Sequence, residues 1–494
     1  MKEKINRLLT HTLVYGLGDA VNKFIGFLLL PLFTAYLTPK DYGITSILAL
    51  ISFVFTPIFS LGVGAAIAPY FFDSGDIKRK SIVIWTSFWV LTAGSVIFLV
   101  LGVIFLRQIS QAAFGTTEHT YLILLTLLTV WINVVLIPFP RFLQFEEQSG
   151  VYVKITVLST TISIVLNILF VVIWGRGVQG LIESQLLGRC LNFAFFFGAA
   201  VPQLDFGIDF RIAKKLLRTG LPLVPSFAFY FIIQDGNKYI LQWLNGLDVV
   251  GVYTIGFNFG MSLRLITGAF ESSWVPFFMS YVDKRDEAVT LFGRVVSYYI
   301  LGVGFVSSLV FVIAKPLVLL MTQPSFHDAY LVVGLSGSAA FIGVIYVLLL
   351  PGMYFEKQVY VQSFLQALAS LLAIVLNFWL IQEFGLLGAA LALAAGMLGL
   401  SLITFLWNWI NRSRYIQVQY EWNRLLKFVI FYITIIMLTF IPRNLNLSGE
   451  IGFSFLLLLL VFFLFYLVLT TSEKQQLRAF IQSLTGKIIH GPTP

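Results

Sequence analysis

Lys78-Arg79-Lys80-Ser81, then IVIWTSFWVLTAGSVIFLVLGVIFL over residues 82–106, then Arg107: a basic cluster, a long run without one ionisable side chain, and a single cation at its far end. A helix needs about 20 apolar residues to cross a hydrocarbon core, so this run spans a bilayer once. A strand of a membrane barrel would alternate polar and apolar residues, and this run does not. Working outward, comparable runs separated by charges or by Pro and Gly recur along the chain and predict fourteen helices. They lie near 10–36, 42–71, 82–106, 120–142, 153–174, 178–201, 217–243, 249–280, 291–314, 328–352, 359–381, 385–410, 426–441 and 451–471. Of the 494 residues, 58% are hydrophobic and 11% charged, against about 25% charged in a soluble domain. With a mean hydropathy of +0.90, a water-soluble fold is excluded, and the fold class is an all-α polytopic membrane protein.

The charges that remain are sorted by side. With the N-terminus in the cytoplasm, Lys2, Lys4, Arg7, the 78–80 cluster, Arg211, Lys214, Lys215, Arg218 and others fall on cytoplasmic segments, 23 basic residues in all. The opposite face holds five: Lys40, Arg107, Arg176, Lys315 and Arg443. This is the positive-inside bias, and it places both termini in the cytoplasm of a cell inner (plasma) membrane. The +9 net charge therefore belongs to topology and anionic lipid, not to nucleic acid. No hydrophilic stretch is long enough for a separate catalytic domain.

Four short matches recur at nearly one spacing. Ile164-Val165-Leu166-Asn167 returns as Ile374-Val375-Leu376-Asn377, and Phe145-Glu146-Glu147-Gln148 as Phe355-Glu356-Lys357-Gln358, both 210 residues on. Gly177-Val178-Gln179-Gly180 answers to Gly385-Leu386-Leu387-Gly388, and Leu37, Asp41 and Gly43 to Leu244, Asp248 and Gly251, at 207 or 208. Common order and spacing indicate a duplication of six helices, an even number, so the halves run in parallel about an axis along the membrane normal. The predicted domains are an N-terminal lobe, 1–202, a C-terminal lobe, 203–412, and two added helices with a cytoplasmic tail, 413–494. Two such lobes suit a carrier with a central cavity open alternately to either side.

Ionisable groups inside a bilayer cost roughly 2.5–3.5 kcal/mol each on insertion scales and need a partner or a purpose. Here they gather on four spans: Asp19 and Lys23, Glu183 and Arg189, Asp235 and Lys238, Arg264 and Glu271. Asp19 with Lys23 (i,i+4) and Asp235 with Lys238 (i,i+3) each share a helix face and sit at nearly equivalent places in the two halves. One reading is that such pairs only lock helices. The other makes Lys23, Lys238 and Arg264 a site for an anionic headgroup such as a pyrophosphate, with Asp19, Asp235 and Glu271 tuning the charge or taking a coupling cation. Glu183 and Arg189, six apart, read as structural. Tyr230, Tyr239, Trp243, Tyr253 and Trp274 lie on the same charged spans and can stack on sugars.

Other chemistries find no support. The histidines, His11, His119, His327 and His490, fall at or outside span ends and the lone Cys190 cannot form a disulfide within the chain, so no metal or histidine relay is built. No Gly-x-x-x-x-Gly-Lys-Ser/Thr pattern is present, so ATP is not the energy source. No cofactor is expected, and the energy must come from an ion gradient such as H+ or Na+, from membrane potential, or from consumption of the product on the far side.

The stretch Leu30-Pro31-Leu32-Phe33-Thr34-Ala35-Tyr36-Leu37-Thr38-Pro39-Lys40-Asp41-Tyr42-Gly43, then Leu61-Gly62-Val63-Gly64, resembles the first two helices of the polysaccharide flippases of the multidrug/oligosaccharidyl-lipid/polysaccharide exporter superfamily. Gly220-Leu221-Pro222-Leu223-Val224-Pro225 through Asp235 and Lys238, then Gly251-Val252-Tyr253 and Trp274-Val275-Pro276, resembles their helices 7 and 8. The resemblance implies a V-shaped two-lobed carrier. It would load an undecaprenyl-pyrophosphate-linked oligosaccharide repeat unit in the cytoplasmic leaflet and release it outside for O-antigen or exopolysaccharide assembly, in company with a polymerase and a chain-length regulator. In the related lipid II flippases basic residues of cavity-lining helices contact the pyrophosphate, and Lys23, Lys238 and Arg264 lie on matching helices. A multidrug/cation antiporter of the same superfamily and a membrane-embedded glycosyltransferase or polymerase remain as alternatives. The first would favour acidic over basic cavity residues, the second a large outer loop with catalytic acids.

Overall fold

In a computed structural model the described residues are 29–73, 76–356, 358, 360–441 and 445–475. They form helices joined by short turns, with no strand among them. Ten helices are long and apolar enough to cross a membrane, or eleven if the bent pair Leu247–Met261 and Arg264–Met279 is one span. One of the ten, Tyr360–Ile410, is two helices merged across a kink at Gly385, whose φ of +52° breaks the helical path, so it supplies both predicted spans there. The predicted count of fourteen is thus not reached among the described residues. Of the first predicted span only its end is described, as the helix Leu30–Tyr36.

Two predicted spans differ in shape. The second breaks into Pro39–Ser60 and Val63–Phe72 at Leu61 and Gly62, both left-handed. The reason is contact: a Cβ on Gly62 would lie 2.1 Å from the Gly220 carbonyl oxygen, so only glycine lets the two backbones touch. The seventh starts later than predicted. Residues Phe210–Gly220 form a separate amphipathic helix, capped by the Asp209 carboxylate on the Arg211 N–H (2.7 Å), with Leu216 buried and Arg211, Lys214, Lys215 and Arg218 facing out. That is the pattern of a helix lying in a membrane interface. Pro222 then falls in the turn before Val224–Asn245 and Pro225 is that helix's second residue, where a missing N–H is harmless.

The described residues group into two compact units: one within Met1–Ile255, Met321–Phe326 and Gln366–Gly396, the other within Gly256–Leu320, His327–Leu365 and Met397–Pro494. In the first unit, Thr38 and Asp41 form a capping box that starts Pro39–Ser60: the Asp41 N–H donates to the Thr38 hydroxyl, and the Thr38 N–H to the Asp41 carboxylate (2.9 Å). One turn on, Gly43 meets the start of Leu247–Met261, where a Cβ would stand 2.0 Å from the Leu247 oxygen. Gly251 returns the contact, its Cβ position 1.8 Å from the Pro39 oxygen. The two glycines are 208 residues apart, so positions that match in sequence clasp each other with bare backbone.

In the second unit the last two spans are packed, not peripheral. Tyr432 of Trp422–Thr439 shares hydrogen bonds of 2.7 Å with Ser307 and with Ser338. Glu450, 0% exposed at the start of Leu447–Val468, meets Lys315 at 2.6 Å. Their other faces carry exposed Ile430, Ile433, Phe455, Leu459 and Phe463; apolar faces of this extent suit lipid rather than water.

Candidate functional site

Val224–Asn245, where the seventh span was predicted, is not among the helices apolar enough to cross a membrane, because a polar stripe interrupts it. Lys238 Nζ lies 2.6 Å from Asp235 Oδ1, with side chains only 9% and 14% exposed. One residue away, fully buried Asn237 donates to the Tyr253 hydroxyl and to the Ala389 carbonyl (3.2 Å). On the opposite side, the Tyr239 hydroxyl donates to the Ala112 carbonyl (2.6 Å) and the Gln242 amide to that of Ala113 (2.8 Å). The helix is therefore tied to three others while its charged pair stays together. Such a pair is electrically neutral until something competes for the ammonium, and an anionic group with several oxygens is a strong competitor.

Arg264 and Glu271 lie in the second unit, both half-buried, two turns apart on the helix Arg264–Met279. Asp19 and Lys23 lie outside the described residues. Of the six predicted site residues, the structure thus brings Asp235 and Lys238 together within one unit and puts Arg264 and Glu271 on one helix of the other. Of the aromatic candidates, Tyr253 and Trp274 are core residues, hydrogen-bonded to Asn237 and to the Val347 carbonyl. Tyr239 and Trp243 are exposed.

Sequence reasoning missed a cavity. Inside the first unit, four spans enclose about 540 Å³ with a polar lining: Thr45 and Ser52 of Pro39–Ser60, Thr126, Thr129 and Asn133 of Thr120–Leu136, Ser163 and Asn167 of Ser149–Asn167, and Gln185, Arg189 and Asn192 of Gly177–Ala200. No carboxylate lines it among the described residues. Glu183, one helix turn and a half before Arg189, instead receives Arg176 (2.9 Å), Gln179 (3.0 Å) and Tyr121 (3.1 Å). The signal was present in the spacing: Thr126, Thr129 and Asn133 stand at i, i+3, i+7, and Gln185, Arg189 and Asn192 at i, i+4, i+7. Each set marks one helix face. A search confined to charges passes over such stripes of hydroxyls and amides.

A family model described as "Polysaccharide biosynthesis protein" matches residues 8–282, more than half of the chain. The chain belongs to this family. The match covers the cavity, the Asp235–Lys238 pair and Arg264 with Glu271. By fold, this polysaccharide biosynthesis protein is similar to a structure described as lipid II flippase MurJ in an inward closed conformation, at 13% identity over 92% of this chain and 99% of that one, TM-score 0.64. It is also similar to a multidrug resistance MATE family transporter of the MOP superfamily, inward-facing, at 16% identity over 78% of this chain and 94% of that one, TM-score 0.62. The outward-facing form of a transporter so described matches at 16% identity, 82% and 96% coverage and TM-score 0.57. No curated protein matches the chain by sequence. The fold class foreseen from the sequence is therefore present: an all-helical, multi-pass membrane protein.

Proposed function

We propose that this family member is a carrier, not an enzyme, which flips an undecaprenyl-pyrophosphate-linked oligosaccharide repeat unit from the cytoplasmic to the outer leaflet of the plasma membrane by alternating access. The observation that carries the reading is the buried Lys238, held by Asp235 on the helix Val224–Asn245 of a chain from a polysaccharide biosynthesis family. A lysine at that depth needs compensation, and Asp235 supplies it while the carrier is empty. A pyrophosphate brings several negative charges and many acceptor oxygens, so it takes over the ammonium with short charge-assisted hydrogen bonds. Lys23 and Arg264 complete the headgroup site. Asp19, Asp235 and Glu271 balance charge when the site empties, and one of them takes H+ or Na+ as coupling ion. A polymerase and a chain-length regulator consume the product on the far side. Both termini face the cytoplasm.

The fold shared with multidrug transporters supports a second reading as a drug/cation antiporter, but the polysaccharide family membership and the lysine-bearing stripe favour the lipid-linked cargo. The test is a deletion strain carrying Lys238→Ala. Surface polysaccharide is lost and the lipid-linked repeat unit accumulates on the cytoplasmic leaflet, with protein levels near normal. Full surface polysaccharide from the Lys23→Ala/Lys238→Ala double variant contradicts the reading.

A further inference from the structure

The cavity of the first unit holds chemistry that a pyrophosphate site on Lys238 leaves unused. Arg189 lines it, remains solvent-accessible, and makes no hydrogen bond or ion pair with any described residue. A guanidinium keeps its charge at any working pH, and inside a membrane protein it is costly until an anion neutralises it. Since no lining carboxylate does so among the described residues, a ligand is the natural source. The amides of Asn133, Gln185 and Asn192 likewise have no partner among the described residues, and the buried Ser159 hydroxyl has none. Thr126 and Thr129 donate to carbonyls one turn back (2.7 and 2.8 Å), which leaves their oxygens as acceptors. A volume of about 540 Å³ falls in the range of small-molecule sites.

Open amides and hydroxyl acceptors around one cation describe a ligand rich in hydroxyls with one negative charge per residue. A polyphosphate would place several charges against a single guanidinium; a carboxylate matches its planar fork one to one. We infer that this cavity is a saccharide subsite that takes an acidic sugar, its carboxylate on Arg189 and its hydroxyls on the threonine and asparagine stripes. The inference rests on the flippase reading for the source of that sugar, the glycan of the cargo; the chemistry of the cavity stands without it.

The test is equilibrium binding to the full chain in lipid nanodiscs, with trigalacturonate as acidic probe, maltotriose as neutral probe and inorganic phosphate as competitor. Trigalacturonate binds more tightly than maltotriose. Arg189→Gln weakens trigalacturonate by about tenfold or more, the worth of a charged hydrogen bond, and leaves maltotriose unchanged. Arg189→Lys restores part of the loss, which separates lost charge from lost fold, and Arg107→Gln on the surface changes nothing. Equal trigalacturonate affinity in wild type and Arg189→Gln overturns the subsite, as does absence of saccharide binding. Displacement by inorganic phosphate at matching affinity identifies an adventitious anion only and overturns it too. Undecaprenyl pyrophosphate, titrated in parallel, keeps the two readings apart. Binding that depends on Lys238 while trigalacturonate ignores Arg189 leaves the flippase and removes the subsite. The reverse leaves the subsite and removes the flippase.

Discussion

The two stretches of sequence that match 207 to 210 residues apart agree in their braces and differ in part of their interiors. Lys80 meets Glu146 at 2.8 Å and lies over the Phe71 ring; Arg285 meets Glu356 at 2.7 Å and lies over the Phe355 ring. The two carboxylates are 210 residues apart, so one ion pair serves each half in the same role. The polar lining of the cavity is duplicated only in part. At the 210-residue offset Ser159 and Ser163 become Ala369 and Ala373, and at 208 Gln185, Arg189 and Asn192 become Leu393, Met397 and Leu400. All five of these are buried. The comparison teaches that helix packing does not require these five polar residues, whereas Thr160 and Asn167 of the same lining stay polar as buried Ser370 and Asn377. The replaced positions, Arg189 among them, are the ones that packing leaves unexplained in the first half.

The scaffold side of the comparison breaks most sharply at Lys315. Lys315→Met removes the cation 2.6 Å from the wholly buried Glu450, and removal of one partner from a buried pair costs about 3–5 kcal/mol. Thermal melting in detergent is expected to drop accordingly and to recover in Lys315→Met/Glu450→Leu. An unchanged melt for the single variant would mean that the last span is not anchored there. Next, a size increase at matched positions separates cavity from core. Ser370→Leu in the packed half costs about 1–3 kcal/mol through overpacking, whereas Thr160→Leu, its counterpart on the cavity wall, leaves stability nearly unchanged. Equal losses in both would deny the asymmetry. The smallest effect belongs to the braces: Glu146→Gln and Glu356→Gln each cost about 1 kcal/mol or less, as partly exposed pairs do, and by similar amounts. A large difference between them would break the functional equivalence of the halves.

Much of this was legible in the sequence. Uncharged runs bounded by basic clusters located the spans, because hydrocarbon thickness and leaflet charge act on composition directly. The repeat was visible at Glu146 and Glu356 before either was seen to hold a cation. Asp235 and Lys238 could be paired from spacing because one helix carries both. What the sequence hid depends on contact between distant segments. The break at Leu61-Gly62 answers to Gly220, and the burial of Glu450 answers to Lys315. The cavity required four helices to turn their hydroxyls and amides inward together, and none of those residues is unusual in a membrane span by itself. Arg189 read as structural beside Glu183; the fold gives Glu183 to Arg176 and leaves Arg189 in the cavity.

The central claim is that Lys238 handles a pyrophosphate as it crosses the bilayer. It is tested most directly by reconstituting the full chain into liposomes and following a fluorescent undecaprenyl-pyrophosphate oligosaccharide from the inner to the outer leaflet. The wild type is expected to move it, Lys238→Ala to stop it, and Lys238→Arg, which keeps the charge, to retain part of the rate. Transport at the wild-type rate by Lys238→Ala would contradict the account.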